Sequence, residues 1–403
     1  MLRREFLLTA AAASTARSAG LPPVRAITRG PAYHWFGYYD KLQFDPASRR
    51  VLGMQVDFEH RSPKPDDRIR LGVIDTEDND RWTELGSTVA WNWQQGCMLQ
   101  WIPGSSDSVI WNDREDGRFV SRIYNLRTNK TRTLPAPVYT LCPDGKKAIY
   151  PDFRRLNDCR PGYGYAGIPD PNAGRLVPED VGIWELDLES GRTRLLISLA
   201  QAAAVPYPGG FSNGAKHWFN HLLYSSDGSR FIFLHRWRGD KEGRSFSTRM
   251  FTANRDGKDL FILDPYGKTS HFIWRDPQHV LAWAWHPSHG ERFYLYRDKS
   301  DQVEVVGKDV MTVNGHCTYL PGNRFILNDT YPDKARNQNV YLFETATGRR
   351  IELGSFSSPE PYTGEWRCDT HPRFSPDGKK VVIDSAHLRG RQMYLLDLRS
   401  ILV

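Results

Sequence analysis

The chain has 403 residues, 12% of them aromatic and 39% apolar, and its 54 Lys+Arg outnumber its 47 Asp+Glu for a net charge of +7. The aromatic content excludes a disordered chain, and no run of ~18 apolar residues is present to make a multispan membrane protein. Five cysteines over this length are no disulfide framework, and the odd number leaves at least one thiol unpaired.

The first twenty residues read as an export signal. Arg3-Arg4-Glu5-Phe6-Leu7 is followed by an apolar stretch and small residues near Ala16, the arrangement of a cleavable signal. The paired arginines fit the bacterial twin-arginine type, which places the mature protein, residues 21–403, in the periplasm or outside the cell. Removing this segment takes away three arginines and one glutamate, so the net charge falls from +7 to +5.

From there the chain repeats. A short apolar strand, a tight turn and a second apolar strand recur seven times. The turns follow Phe44, Trp101, Leu141, Tyr224, Trp274, Tyr319 and Phe374, and include Pro143-Asp144-Gly145, Ser226-Asp227-Gly228 and Pro376-Asp377-Gly378. Asp-Gly between alternating apolar runs marks a hairpin, because Gly accepts the positive φ of such turns. A further strand follows each hairpin, as in Gly182–Asp187 and Met393–Asp397. Seven such units with little helical periodicity predict an all-β fold, a single-domain seven-bladed β-propeller, rather than a pair of sandwiches. The last unit lacks an outer strand, which the stretch Val24–Thr28 is expected to supply.

The widest interval, between Leu141 and Tyr224, holds Asp158–Tyr165 and Pro206–Phe211. Insertions of this kind map to loops on one face, often the binding face. The site is therefore expected at the mouth of the central channel.

Aligning the seven turns exposes a histidine register. Three residues before each turn anchor stand Lys41, Met98, Val138, His221, His271, His316 and His371. Consecutive blades would aim the four histidines at one point near the axis. Cys368 lies three residues before His371, and imidazole with thiolate favours Zn²⁺ over oxygen-seeking cations. The expected ligands are His271, His316, Cys368 and His371, with His221 left for substrate; the alternative is a set of hydrogen-bonded strand-start histidines.

These residues resemble those of the seven-bladed polysaccharide lyases, the oligogalacturonate and ulvan lyases, over nearly the whole mature chain. Cys368-x-x-His371-x-Arg373-Phe374-Ser375-Pro376-Asp377-Gly378 is similar to the metal segment of oligogalacturonate lyases, which have Gln in place of Cys368 and His in place of Arg373. By the same resemblance His316 falls at another metal ligand and His271 at a catalytic histidine. Those two departures put Mn²⁺ behind Zn²⁺ as the expected cation, with Ca²⁺ also behind. Ulvan lyases carry a Tyr and an Arg sixteen positions apart on the third blade, matched here by Tyr139 and Arg155, and a further active-site histidine matched by His217. Where they place a second-blade histidine, this chain has Asn92-Trp93-Gln94-Gln95-Gly96.

The resemblance implies a carbon–oxygen lyase that cleaves a uronate-containing polysaccharide or oligosaccharide by β-elimination. Such an enzyme neutralises the C6 carboxylate, removes the C5 proton and protonates O4. Arg155 offers a carboxylate fork, Tyr139 a proton-transfer group, and His217 and His221 the complementary transfer. Gln94, Gln95, Arg160, Tyr163, Tyr165 and Arg236 complete the expected substrate contacts. Trp35, Trp91, Trp93 and Trp218 are further candidates for stacking on sugar rings. The positive charge would steer an acidic glycan, whereas scattered basic residues and an export signal argue against nucleic acid. Two alternatives are a TolB-like propeller that binds glycan or protein without catalysis and a hydrolase built on an open zinc site.

Overall fold

The computed structural model of the protein describes residues 20–402; the segment read as an export signal lies, apart from Gly20, outside them. The chain folds into seven four-stranded antiparallel sheets, each a consecutive stretch of sequence except the last. The first blade comprises Tyr33–Trp35, Arg50–Val56, Ile69–Asp75 and Arg81–Thr88. In the seventh, Arg373–Phe374, Lys380–Ser385 and Gln392–Asp397 are joined by Val24–Ala26 from the other end of the chain. Val24 pairs with Leu396 and Ala26 with Tyr394. The expected closing strand is thus formed, three residues long. No helix among the described residues is long and apolar enough to cross a membrane.

The Asp-Gly turns have the expected geometry, with φ of +71° at Gly228 and +70° at Gly378. Between blades the core is aromatic. Trp35, Trp91 and Trp93 form a triad with ring centroids 5.1–5.5 Å apart, all at most 1% exposed. The indole N–H groups of Trp91 and Trp93 donate to the carbonyls of Asp67 and Arg61. These three rings, with Trp218, are packing residues and are not open to a sugar. Burying a large apolar side chain stabilises the fold by about 1.5–3 kcal/mol, so such a triad is a principal adhesive between blades one and two. All five cysteines are free and buried.

Two features position the site. The long interval in blade three forms a helix, Phe153–Cys159, whose N-terminus is capped by the Asp152 carboxylate. A second helix, Leu199–Ala204, starts with a Ser198/Gln201 capping box. In blade one, the inner strand breaks after Trp35 and resumes as a bridge at Phe44, so residues 36–43 run across the axis. This crossing is pinned by Asp384, which accepts from the backbone N–H of Phe36 and Gly37 and pairs with Arg373 at 2.7 Å. Arg373 also donates to Gln43 and to the His371 carbonyl. The residue that departs from the lyase pattern is therefore a clamp between blades seven and one.

Candidate active site at the propeller axis

The histidine register converges as expected. His271 and His316 have ring centroids 4.1 Å apart, and His316 and His371 another 4.1 Å. His221 completes the arc through Tyr38, whose ring stacks on it at 5.0 Å and lies 5.2 Å from His371. Met98, His221 and His371, equivalent positions in three blades, all have positive φ, and His221 occupies a bulge at which the strand register shifts. A bulged, left-handed residue turns its side chain out of the sheet's alternation, here toward the axis.

His316, His371 and Asp369 form a group in which one ligand atom from each residue lies within 4.8 Å of the other two. That is close to the separation required of ligands about 2.0–2.2 Å from a single ion. His316 Nδ1 donates to Asp329, which also accepts from the backbone N–H of His316 and His371 and from Thr370. The Nε2 atoms of His316 and His371 are both buried without a hydrogen-bond partner among the described residues. Burial holds His371 well below the usual imidazole value, so its lone pair is free at neutral pH. Two orphaned nitrogens beside a carboxylate, one of them oriented by a second carboxylate, are a donor set that fits a divalent cation.

The other two expected ligands are not members of this group. His271 adjoins His316, but its Nδ1 meets Asn314 at 3.0 Å and its Nε2 faces the Tyr331 hydroxyl at 3.4 Å. Cys368 packs with Tyr362 and Ala386, and burial pushes its thiol up to about 12. Neighbouring residues of an extended segment point to opposite sides, so when Asp369 faces the imidazoles Cys368 faces away. The thiolate argument for zinc lapses with that placement.

Tyr139 and Gln95 meet His221. Gln95 Nε2 donates to the Tyr139 hydroxyl at 2.7 Å, and that hydroxyl lies 3.2 Å from His221 Nδ1. Lys41 Nζ stands 4.6 Å from the Tyr139 ring centroid and is paired with Asp40. Burial raises the Tyr139 phenol and lowers His221, so both are neutral at pH 7. Gln94 donates to the carbonyls of Glu365 and Arg367 and holds the segment that leads into Asp369.

Beside this group opens a cleft of about 480 Å³ lined by Arg160, Tyr163, Arg238, Arg244, Phe246 and Arg367. The guanidinium groups of Arg160 and Arg236 both lie on Phe246, at 4.8 and 4.9 Å. Arg160 Nη1 and Arg236 Nε and Nη1 are buried and have no acceptor among the described residues. Arg367 donates to the Tyr163 hydroxyl at 2.8 Å and to Asp369 at 2.6 Å.

Arg155, His217 and Tyr165 are engaged elsewhere. Arg155 is 1% exposed on the blade-three helix and donates to Asp170 and to the carbonyls of Asn172, Leu176 and His217. It has no fork left for a carboxylate, because the short helix turns it into the insertion. His217 stacks on His235 with a 2.8 Å Nδ1–Nε2 contact, and His235 in turn takes the Arg249 Nε–H. Tyr165 is fully buried, stacked on Phe153 and hydrogen-bonded to Asn112. Asp369, Asp329, Arg367 and Phe246 were not anticipated; only Asp369, inside Cys368-Asp369-Thr370-His371, carried a signal in the sequence.

No family model and no curated protein matches the chain. Among solved structures it is similar to an oligogalacturonate lyase in complex with manganese, at 16% identity and TM-score 0.66, over 94% of each chain. It is equally similar to an oligogalacturonate lyase from Vibrio parahaemolyticus, at 14% identity and TM-score 0.66, over 96% of this chain and 95% of that one. TolB from Acinetobacter baumannii aligns more loosely, at 13% identity and TM-score 0.42, over 76% of this chain and 64% of that one. At these identities the likeness is one of fold: a seven-bladed propeller built like those lyases.

Proposed function

We propose that the protein is a β-eliminating lyase acting on uronate-containing oligosaccharides or polysaccharides. The observation that carries this reading is the pair of guanidinium groups, Arg160 in the cleft wall and Arg236 on the cleft residue Phe246, whose buried N–H groups have no acceptor among the described residues. A buried donor left unmade costs about 1–3 kcal/mol, more when charged, and a ligand carboxylate would satisfy both. Phe246, on which both guanidinium groups lie, adds an aromatic ring to the cleft wall. Pairing the C6 carboxylate with these cations acidifies C5–H.

His316, His371 and Asp369 would hold a transition-metal dication, for which nitrogen and carboxylate donors suit Mn²⁺ as well as Zn²⁺. When bound it supplies Lewis-acid polarisation of substrate oxygens. The likeness to a manganese-bound oligogalacturonate lyase supports the same reading of substrate class and metal. Gln95, Tyr139 and His221 form a hydrogen-bonded chain that can move a proton toward the departing O4. The twin-arginine segment supports export to the periplasm or beyond, which fractionation of the expressing cell would test.

The reading is tested by incubating the protein with pectic, glucuronan and ulvan-type oligosaccharides and following the ultraviolet absorbance of an unsaturated uronate. A rise on at least one substrate supports it. Binding without any rise assigns the cleft to recognition alone.

A further inference from the structure

We propose that Tyr163, rather than Tyr139, is the residue that takes the C5 proton in this elimination. The proposal rests on the lyase reading above and names its base.

Three tyrosines adjoin His221: Tyr38 stacks on it, and Tyr139 and Tyr163 differ in what surrounds them. Tyr139 lies behind the imidazole, fully buried, between Gln95 and His221. Tyr163 approaches His221 edge-on at 5.7 Å and forms part of the cleft wall. Its hydroxyl receives the Arg367 guanidinium at 2.8 Å, and the Arg160 guanidinium lies 4.0 Å from its ring centroid. Arg160 is also one of the arginines with an unsatisfied N–H, so the group that would anchor the substrate carboxylate touches the ring of the group beside it. C5 is bonded directly to the carboxylate carbon, so a base next to the carboxylate anchor is within reach of the proton it must remove.

The charged and titratable groups facing Tyr163 are Arg367 and Arg160 as cations, Asp369 beyond Arg367, and the neutral His221, Tyr38, Tyr139 and Tyr331. Arg238, Arg244, Asp158, Glu365 and Cys159 are the other charged or titratable groups of the cleft wall. Burial alone would push the Tyr163 phenol up, but Arg367 and Arg160 outweigh it and hold the group below the usual tyrosine value. Tyr38, Tyr139 and Tyr331 are all raised by burial.

The Tyr163 phenolate oxygen takes the C5 proton, and the C5–H electron pair becomes the C4–C5 double bond. The C4–O4 bond breaks with its electrons on O4. O4 takes the Nε2 proton of His221, which rests 3.4 Å from the Tyr38 hydroxyl, while the Tyr139 hydroxyl passes its own proton to Nδ1. Tyr163 ends as a phenol and Tyr139 as a phenolate beside Lys41, and proton exchange with water restores both.

The test uses the whole protein and two independent readouts. In the ultraviolet pH titration without substrate, one tyrosine should ionise below the ordinary value of about 10. That component should vanish in Tyr163→Phe and persist in Tyr139→Phe. On the best uronate substrate, Tyr163→Phe should lower kcat by about 10²- to 10⁴-fold, the usual worth of a positioned base. Arg367→Gln should move both the titration and the rising limb of kcat against pH to higher pH. An active wild type whose Tyr163→Phe variant keeps its kcat overturns the Tyr163 assignment alone. A wild type with no eliminase activity on any uronate overturns the lyase reading and the assignment with it.

Discussion

His316 Nδ1 lies 3.0 Å from both carboxylate oxygens of Asp329, while its Nε2 is buried and unpartnered beside His371 and Asp369. The carboxylate fixes the tautomer and turns the lone pair into the axis. Asp329→Ala should therefore weaken metal binding by about 10–100-fold, as loss of an orienting carboxylate does. Metal titration followed by calorimetry checks this. Cys368→Ser should leave the affinity within error, because the thiol packs against Tyr362 and Ala386.

Arg236 offers two buried N–H groups without acceptors. Arg236→Ala should raise KM for a uronate oligosaccharide roughly 10–100-fold, from the 1.5–3 kcal/mol of a hydrogen bond to a charged group. Arg236→Lys should not restore it, since an ammonium lacks the planar fork. Steady-state kinetics on the wild type and both variants decides.

Arg373 and Asp384 form a buried pair between the seventh blade and the loop that crosses the axis. Arg373→Met leaves a buried carboxylate unpaired and should cost about 3–5 kcal/mol of stability. Urea unfolding should show the midpoint falling. Loss of stability well below this range would mean that blade closure does not depend on the clamp.

Acid should unfold the protein through its buried imidazoles. Burial, with help from Arg249 and Arg155, pushes His217 down to about 4. Below the unfolded value of about 6.5 the unfolded chain binds a proton that the folded one refuses, so stability falls with falling pH until about 4 and then levels. The full effect is up to about 3 kcal/mol for this one group. His217→Phe should flatten the stability profile between those limits, as read by thermal unfolding across pH.

The blades and their closure were legible because hairpin turns and alternating strands are local signals, each contained within a few residues. The histidine register was legible for the same reason: His221, His271, His316 and His371 stand at one distance from their turns. What was hidden is long-range or depends on side-chain direction. Arg160 and Arg236 come from different blades and meet only over Phe246. Arg155 offers a carboxylate fork by its residue type, but seven residues of helix turn it inward. Asp369 carries no assignment in Cys368-x-x-His371, because a single sequence does not reveal which side of an irregular segment faces the axis.

Under the proposed function this site breaks a glycosidic C–O bond by elimination rather than by hydrolysis. Digesting the responsive uronate oligosaccharide in oxygen-labelled water and weighing the products tests it directly. Elimination predicts one unsaturated fragment and no solvent oxygen in any product bond. Fragments that each pair a new reducing end with a saturated end, carrying one labelled oxygen per cleavage, would contradict it.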